Sequence, residues 1–380
     1  MFSLHSARRL RTVVTGLALT GLAVTAAQGF ASAAPAHESK RVAARASAVD
    51  VIEDGAARSL ALSLGDKAWQ RQVSGAVAQG KAVGLHGLTA GSATKGAAGF
   101  GGHIAKADRQ VADAKGLGAD VDSLLQVRLV GAAAEGVEPL VASSPSDDNA
   151  AVVVAYDSTG KAYELAADHA PDRPVYLVDV DTDKATEAGM KVLQKELSAA
   201  GLQSPVAAAP VNSAAAATGF WTTRVTSVTV NDVKEPWFKG AAEIFDLVTG
   251  FGLDGKVRVD TVTMPYLDDA KKTYYPNQIL VNWSLYKYNL ADVVMMEDDG
   301  NTNYSSLAKA LAAVLLTITD QGAYIPLVNA VIDAMPSSWW TDDPDYVESW
   351  YTLATTTTGT RTGASGNGTM TFDRYWVSAL

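Results

Sequence analysis

The sequence contains no cysteine. This absence excludes disulfide bonds, thiolate zinc sites, a cysteine nucleophile and a lipid anchor attached to an N-terminal cysteine. An exported chain without disulfides must be held by its hydrophobic core, by a bound metal ion, or by both.

Histidine is nearly as scarce, and no His-Glu-x-x-His segment occurs, so the common zinc-protease site is excluded. After the first 33 residues only four histidines remain, namely His37, His86, His103 and His169.

Two other catalytic or binding motifs are incomplete. Ser365 lies in a Gly-Ala-Ser-Gly-Asn segment that lacks the last glycine of a nucleophile elbow. Residues 91–96 have the wrong glycine–lysine order for a phosphate-binding loop.

Positive charge is also in short supply, with 31 Lys and Arg against 41 Asp and Glu, for a net charge of −10. This balance argues against a nucleic-acid partner or an anionic membrane surface reached by bulk electrostatics. The hydrophobic content of 48% and charged content of 19% are those of a chain that buries real cores.

The N-terminus has the features of an export signal. Basic residues precede an apolar run at 13–27, and Ala31-Ser32-Ala33 supplies the small residues of a cleavage site. The apolar run is shorter than the roughly 20 residues that a bilayer span needs. We therefore predict a secreted, extracellular protein cut after Ala33, with no membrane span in the mature chain.

The first half of the mature chain mixes helical and strand patterns. Ser47 and Asp50 resemble a capping box before a helix at 51–64, and Asp66 is placed to cap a second helix. The Gly/Ala-rich stretch 80–102 is predicted to be a loosely ordered loop. Alternating residues then predict a β-hairpin over 152–165, a strand over 174–180 and a helix over 183–200.

The second half is richer in strand patterns. Residues 224–250 predict a hairpin made of a strand, an acidic turn and a second strand, because Asn231, Asp232, Glu235 and Pro236 interrupt an alternating pattern. Helical spacing predicts two helices over 305–318 and 326–335 between further strands. The fold class is therefore α+β, in which an N-terminal α+β region precedes a C-terminal antiparallel β-sandwich with an inserted helical pair.

The predicted organisation has five parts. They are a signal peptide at 1–33, a disordered tail at 34–46, an α+β domain at 47–202, an Ala/Pro/Ser linker at 203–218 and an acidic β-sandwich domain at 219–380.

Three acidic loops are the main candidates for a site. All follow or precede predicted strands, and clusters of oxygen ligands of this kind suit Ca²⁺, a hard cation. The alternative is that these residues are solvated turn residues, since Asp and Asn favour turns. The predicted metal ligands are Asp232, Glu235, Asp298, Asp299, Asp342 and Asp343.

A further acidic segment, Asp179-Val-Asp-Thr-Asp183, follows a hydrophobic strand. It does not fit a haloacid-dehalogenase-type phosphotransferase motif, because Thr182 comes one place early. It does not fit an EF-hand loop either, because Lys184 stands where a glycine is needed and Met190 where the bidentate glutamate is needed. A strand end followed by a helix cap is the favoured interpretation.

The segment Val230-Asn-Asp-Val-Lys-Glu-Pro-Trp-Phe-Lys-Gly-Ala-Ala-Glu-Ile-Phe245 resembles a bacterial secreted family, domain-of-unknown-function family 3103. Two other segments carry the same resemblance, Pro174-Val-Tyr-Leu-Val178 upstream and Trp340-Thr-Asp-Asp-Pro-Asp-Tyr-Val347 near the end. The similarity covers most of the mature chain, and it implies no activity.

Function is left with three hypotheses, and whether the protein is an enzyme stays open. The first is a non-catalytic module that binds an unknown extracellular surface or macromolecule, with exposed aromatics such as Trp237, Trp339 and Trp340 beside the acidic loops. The second is a hydrolase with paired carboxylates in a concave pocket, whose environments separate their pKa values. The third is an inhibitor-like or propeptide-like N-terminal module.

Overall fold

The computed structural model describes residues 46–378, except for 79, 120, 122, 132–135, 148, 204–218, 234–235, 299 and 336–345. The described residues all belong to one compact unit. The predicted signal peptide, and the segment 204–218 that makes up nearly all of the predicted linker, lie outside the described residues. The two-domain division stays a prediction for that reason. None of the described helices combines the length and apolar character needed to cross a bilayer.

The described chain is a mixed α and β fold with seven α-helices and three sheets, which confirms the mixed class. The helices are α1 Ala48–Ser63, α2 Lys67–Val77, α3 Leu85–Ala90, α4 Lys95–Ala114, α5 Thr182–Ala200, α6 Tyr304–Leu315 and α7 Val328–Ala334. The strands of the first half are β1 Val83–Gly84, β2 Leu125–Val130, β3 Leu140–Ser143, β4 Val152–Tyr156, β5 Ala162–Ala166 and β6 Val175–Val180.

The second half contributes nine strands. They are β7 Gly219–Val230, β8 Ile244–Phe251, β9 Val257–Met264, β10 Thr273–Tyr274, β11 Gln278–Asn282, β12 Leu290–Glu297, β13 Tyr346–Ala354, β14 Gly359–Thr362 and β15 Gly368–Ser378. A short 3-10 turn, Trp283–Leu285, directly follows β11.

The first sheet has the strand order β1-β2-β6-β3-β4-β5. Its one parallel pair is β3 with β6, and every other pair is antiparallel. Helix α1 packs against this sheet and against α4. The Ser47–Asp50 capping box is confirmed, because the Ser47 side chain accepts from the Asp50 amide and the Asp50 carboxylate accepts from the Ser47 amide.

The second half forms two sheets. One has the order β10-β7-β15-β14 with β11 also paired to β7, and the other has the order β13-β12-β8-β9. Every residue of β8 is buried. Because side chains alternate across a strand, both faces of β8 are therefore covered. Ile244 and Val248 join a hydrophobic cluster with residues of both sheets, such as Phe372, which we call the two-sheet core.

The opposite face of β8 meets the helices. Phe245 and Leu247 lie in the largest hydrophobic cluster, the shared core, together with Leu60 of α1, Ile104 of α4 and Leu311 of α6. Side chains from residues before 203 and after 219 therefore pack in one cluster. Burying such aliphatic and aromatic side chains contributes about 1.5–3 kcal/mol each.

Two expectations about local structure are wrong. The Gly/Ala-rich stretch 80–102 contains α3 and the start of α4, where Thr94 caps the helix by accepting from the Ala97 amide. Gly96 lies against α1 and α2, since a Cβ atom there would be 2.8 Å from the Ser63 carbonyl oxygen and 2.9 Å from Trp69. Small residues thus allow close packing in this stretch.

The strands before and after Asp232 do not form a hairpin. Strand β7 pairs with β10, β11 and β15, whereas β8 pairs with β9 and β12 in the other sheet. The connection between β7 and β8 crosses from one sheet to the other. Its Phe238 is buried in a third cluster with Leu177 of the first sheet. Tertiary packing of Phe238 therefore decides the path of this segment.

Candidate functional site

Four of the six predicted metal ligands lie outside the described residues, namely Glu235, Asp299, Asp342 and Asp343. Asp232 is exposed just after β7. Its backbone is held by Asn367, whose side-chain oxygen accepts from the Asp232 amide at 3.0 Å and whose side-chain nitrogen donates to the Asp232 carbonyl at 3.0 Å. This position next to the loop before β15 leaves Asp232 at the surface.

Asp298, the other described candidate, is buried in an ion pair with Lys115. The Lys115 ammonium lies 3.1 Å from Asp298 Oδ1, and both side chains have 0% exposure. Asp298 Oδ2 accepts hydrogen bonds from Thr186 at 2.8 Å and from Tyr304 at 2.5 Å. A cation at Asp298 would have to compete with these three donors.

The calcium site as a whole stays a prediction. In the described part of the chain, no three His, Asp or Glu side chains lie close enough together to hold a metal ion.

Glu243, which precedes β8, accepts a 2.5 Å hydrogen bond from Thr182 at the start of α5. Asp181 rather than Asp183 caps α5, by accepting from the Lys184 amide, so the interpretation of this segment as a strand end and helix cap is confirmed.

A small pocket with several carboxyl groups lies where α1, β2, β6 and the β7–β8 connection meet. Its volume is about 40 Å³, which is room for a water molecule and not for a sugar or a drug-sized ligand. Its lining includes Asp50, Glu53, Gln126, Ser144, Asp179, Thr182 and Lys239. We call it the carboxylate pocket.

Glu53 and Asp179 in this pocket have different electrostatic environments. Burial raises the pKa of Glu53 well above its usual range, and the nearby charges of Asp179 and Asp50 raise it further. Burial also raises the pKa of Asp179, but the Arg128 guanidinium opposes the shift. Glu53 is therefore the group that holds a proton more tightly, and Asp179 the one that stays ionised more easily.

Arg128 connects Asp179 to the β7–β8 connection. Its Nε donates to Asp179 Oδ2 at 2.7 Å, and its Nη2 donates to the Phe238 carbonyl at 2.8 Å and to the Lys239 carbonyl at 2.5 Å. Asp179 Oδ1 has no hydrogen-bond partner among the described residues, although the Gln126 side chain lowers the pKa of this carboxyl. The pocket is thus both a structural junction and a candidate for acid–base chemistry.

A wider groove lies at one edge of the two C-terminal sheets. Its volume is about 560 Å³, within the range of small-ligand sites. It is lined by Thr263, Pro265, Tyr266, Tyr274, Tyr275, Pro276 and Gln278. We call it the tyrosine groove.

The tyrosines are held in place by internal hydrogen bonds. The Tyr266 hydroxyl donates to Gln278 Oε1 at 2.7 Å, and Gln278 Nε2 donates to the Thr263 carbonyl at 2.8 Å. The Tyr266 and Tyr274 rings lie 6.0 Å apart and are tilted by 47°. Tyr275 has 74% of its surface exposed, so its ring is free to meet a ligand.

The aromatic residue Trp237 lines a second open groove of about 810 Å³, together with Asp168, His169 and several alanines. Its ring is half-buried and meets Phe238 edge-on at 5.6 Å. Trp339 and Trp340, the other aromatics expected near the acidic loops, lie outside the described residues.

Sequence reasoning did not identify either the carboxylate pocket or the tyrosine groove. Glu53 lies within the predicted helix 51–64, and nothing near it in the sequence indicates that it is buried beside Asp179. The Tyr-Tyr-Pro run at 274–276 was a usable signal, since adjacent aromatics and proline in a polar stretch suggest an exposed aromatic surface.

Comparison with known proteins gives a family and no activity. The family described as "Protein of unknown function (DUF3103)" matches residues 57–379. A search of curated proteins and a search of solved structures each returned no match. Because the match covers most of the sequence, the chain belongs to domain-of-unknown-function family 3103.

Proposed function

We propose that this protein is an exported, non-catalytic binding module that holds a neutral polysaccharide in the tyrosine groove. The carrying observation is the groove itself, about 560 Å³ in volume and lined by three tyrosines. Tyrosine offers an apolar ring face and a polar tip, which suits sugar rings that are apolar on their faces and polar around their rims.

Charge favours a neutral ligand. The chain carries a net charge of −10. Beside the groove, Asp269 accepts from the Tyr274 hydroxyl at 3.1 Å, and Lys272 is already paired with Asp269 at 2.8 Å. The net negative charge of the chain would repel an anionic polymer, and the Lys272 charge beside the groove is already neutralised by Asp269.

A β-sandwich is the proposed scaffold for the groove. Support comes from the two-sheet core, in which Val228 of β7 and Met370 of β15 pack in one cluster with Val293 of β12 and Trp350 of β13. Gln278 of β11, through its bond to the Thr263 carbonyl of β9, links the two sheets at the groove.

Export and calcium binding belong to the same proposal. Export is supported by the N-terminal sequence, and calcium by the acidic loops around Asp232 and Asp342. If calcium binds the native state, millimolar calcium must raise the midpoint of thermal unfolding relative to chelator. Asp232→Ala combined with Asp342→Ala would abolish that rise, and an unchanged midpoint in the unmodified protein would exclude the ion.

The binding test uses retention on insoluble cellulose, chitin and starch, followed by fluorescence titration with soluble oligosaccharides of the polymer that retains the protein. We expect Tyr275→Ala to weaken binding about fivefold or more, because it removes one stacking ring worth ~1 kcal/mol. Tyr351→Ala is the matched control, since Tyr351 is 40% exposed on β13, away from the groove residues.

Two outcomes would contradict the proposal. One is the absence of binding to all neutral polymers. The other is equal weakening by the groove variant and by the control, which would mean that any exposed tyrosine contributes. Binding of a proline-rich peptide but no saccharide would assign the groove to peptide recognition instead.

A second candidate function, hydrolysis in the carboxylate pocket, is supported by the different environments of Glu53 and Asp179. Glu53, which holds its proton, would donate it to a leaving oxygen, while Asp179 would accept a proton from the attacking water. The pocket itself has room only for the attacking water, so the scissile bond of a substrate would lie at the mouth of the pocket. The test is turnover of p-nitrophenyl esters and glycosides. Glu53→Gln should lower any hydrolytic activity by about 100-fold or more. Glu138→Gln, at an exposed carboxylate, is the control and should leave the activity unchanged.

A further inference from the structure

The paired strands β7 and β15 carry an edge that is open in the described structure. Residues 219–230 of β7 pair with 368–378 of β15, whereas β14 covers only 369–372 on the other side of β15. Among the described residues, positions 373–378 therefore pair on one side only. Such an edge presents a row of backbone donors and acceptors that a further strand can satisfy.

Aromatic side chains flank this open edge on both faces. The Trp221 and Trp376 rings meet at 5.1 Å, and the Arg374 guanidinium lies 3.6 Å from the centre of the Trp221 ring. On the other face the Arg224 guanidinium lies 4.3 Å from the Tyr375 ring. The three aromatic residues, one on β7 and two on β15, are 36–41% exposed, which is unusual for such large side chains on one short strand pair.

The charges at this edge are uneven. Arg224 is neutralised by Asp373, with donor–acceptor distances of 3.0 and 2.6 Å. Arg374 forms no ion pair with a described residue, and its visible partner is the Trp221 ring. An occupant of the edge should therefore bring an extended backbone and an aromatic face for Arg374, and it need not bring negative charge.

We propose that β15 pairs antiparallel with β15 of a second copy of this chain, related by a two-fold axis through Tyr375. In that register Tyr375 lies opposite its own copy, and Arg374 lies opposite Trp376 of the second copy on the same face. The arginine–tryptophan contact seen within one chain is thereby repeated between chains. A strand of this sequence supplies its own complement, as a two-fold interface requires.

This interface is independent of the tyrosine groove, because none of the residues that line the groove takes part. In this register residues 373–377 of each chain pair, because position 372, which would lie opposite Ser378 of the second copy, is already covered by β14. A strand pair of five residues is small for a protein interface. We therefore expect a weak dimer with a dissociation constant of about 10 µM, which sedimentation equilibrium would detect between about 1 and about 200 µM protein.

The absence of native cysteine makes a direct test available. In the proposed register, Tyr375→Cys places two thiols directly opposite each other, with Cα atoms about 4.5–5.5 Å apart, within the range that a disulfide spans. We expect mild oxidation to give a covalent dimer from Tyr375→Cys. Tyr351→Cys, at a similarly exposed tyrosine on β13, should stay monomeric at the same concentration.

A second variant addresses the association itself. Trp376→Lys removes the partner ring of Arg374 and places like charges across the strand pair, so the dissociation constant should rise at least tenfold. A protein that stays monomeric at about 200 µM and gives no covalent dimer would overturn the proposal. Equal cross-linking of the two cysteine variants would also overturn it, because random collision would then explain the product.

Discussion

Asp246 is a carboxylic acid at the centre of β8 with no exposed surface. By strand alternation it shares a face with Ile244 and Val248, which belong to the two-sheet core. Neither of its oxygens has a hydrogen-bond partner among the described residues. Burial raises the pKa of this carboxyl well above its usual range. Burying a carboxyl group without a hydrogen-bond partner lowers the stability of the folded state.

We predict that Asp246→Asn raises the free energy of unfolding by about 1–3 kcal/mol at neutral pH, because the amide cannot ionise. The sign of the pH dependence follows from the raised pKa. The folded state binds this proton more tightly than the unfolded state does, so the group's contribution to stability is lost as pH rises from about 4 toward the folded-state pKa.

The gain from Asp246→Asn should therefore be near zero at about pH 3.5 and should grow as the pH rises. Chemical denaturation across this pH range measures it. Asp172→Asn, at an exposed carboxylate, is the control and should change stability by less than about 0.5 kcal/mol at every pH. A pH-independent effect of Asp246→Asn would show that ionisation is not the cause.

At the scale of elements, the packing of α5 against α6 depends on a glycine. A Cβ atom on Gly189 would lie 2.2–2.3 Å from the ring of Tyr304, which is buried. Alanine is intrinsically better than glycine in a helix by about 1 kcal/mol. The clash must still win here, because Tyr304 cannot move without breaking its hydrogen bond to Asp298.

We predict that Gly189→Ala destabilises the protein by about 2–3 kcal/mol. Gly102→Ala is the matched control, because Gly102 lies in α4 with no neighbouring atom within 4 Å of the added methyl group. It should stabilise the protein by about 0.5–1 kcal/mol through helix propensity alone. Urea unfolding of both variants decides the matter, and a stabilising Gly189→Ala would show that the two helices can separate at little cost.

Local signals predicted several elements correctly. Ser47 with Asp50, and Asp66, were recognised as helix caps because capping involves residues only a few positions apart. The hairpin of β4 and β5 was predicted from the turn at 157–160 for the same reason. Elements set by distant contacts were missed, such as the helix at Gly96, which depends on packing against Ser63 and Trp69.

The same limit explains the candidate sites. The acidic loops could be recognised in the sequence because their residues are adjacent in the chain. Glu53 and Asp179, in contrast, come together only through the packing of α1 on the first sheet. The pairing of β7 with β15 instead of β8 joins residues about 150 positions apart in the chain. Sequence periodicity carries no information about such partners.

At the scale of the whole molecule, a buried polar network joins the two halves of the chain. Lys115 follows α4 in the first half, and its ammonium binds Asp298 and the Gly300 carbonyl in the second half, each at 3.1 Å. Thr186 of α5 and Tyr304 of α6 bind the same carboxylate. The shared core lies around this network and also draws on both halves.

We predict that the two halves unfold together in one cooperative transition, and that Lys115→Met lowers the free energy of unfolding by about 3 kcal/mol. Removing one member of a buried ion pair leaves an uncompensated charge, which is the costly part. Adding Asp298→Asn to Lys115→Met removes that charge but keeps an oxygen that can accept from Thr186 and Tyr304. The double variant should therefore recover about half of the loss.

Calorimetry and circular dichroism of the single and double variants measure both points. Lys309→Met, on α6 and outside the network, is the control, because a surface substitution should change stability by less than about 0.5 kcal/mol. Two separated transitions in the unmodified protein would mean that the shared core and the Lys115–Asp298 pair do not couple the halves. A double variant less stable than Lys115→Met would mean that the Asp298 charge is satisfied by its hydroxyl donors alone.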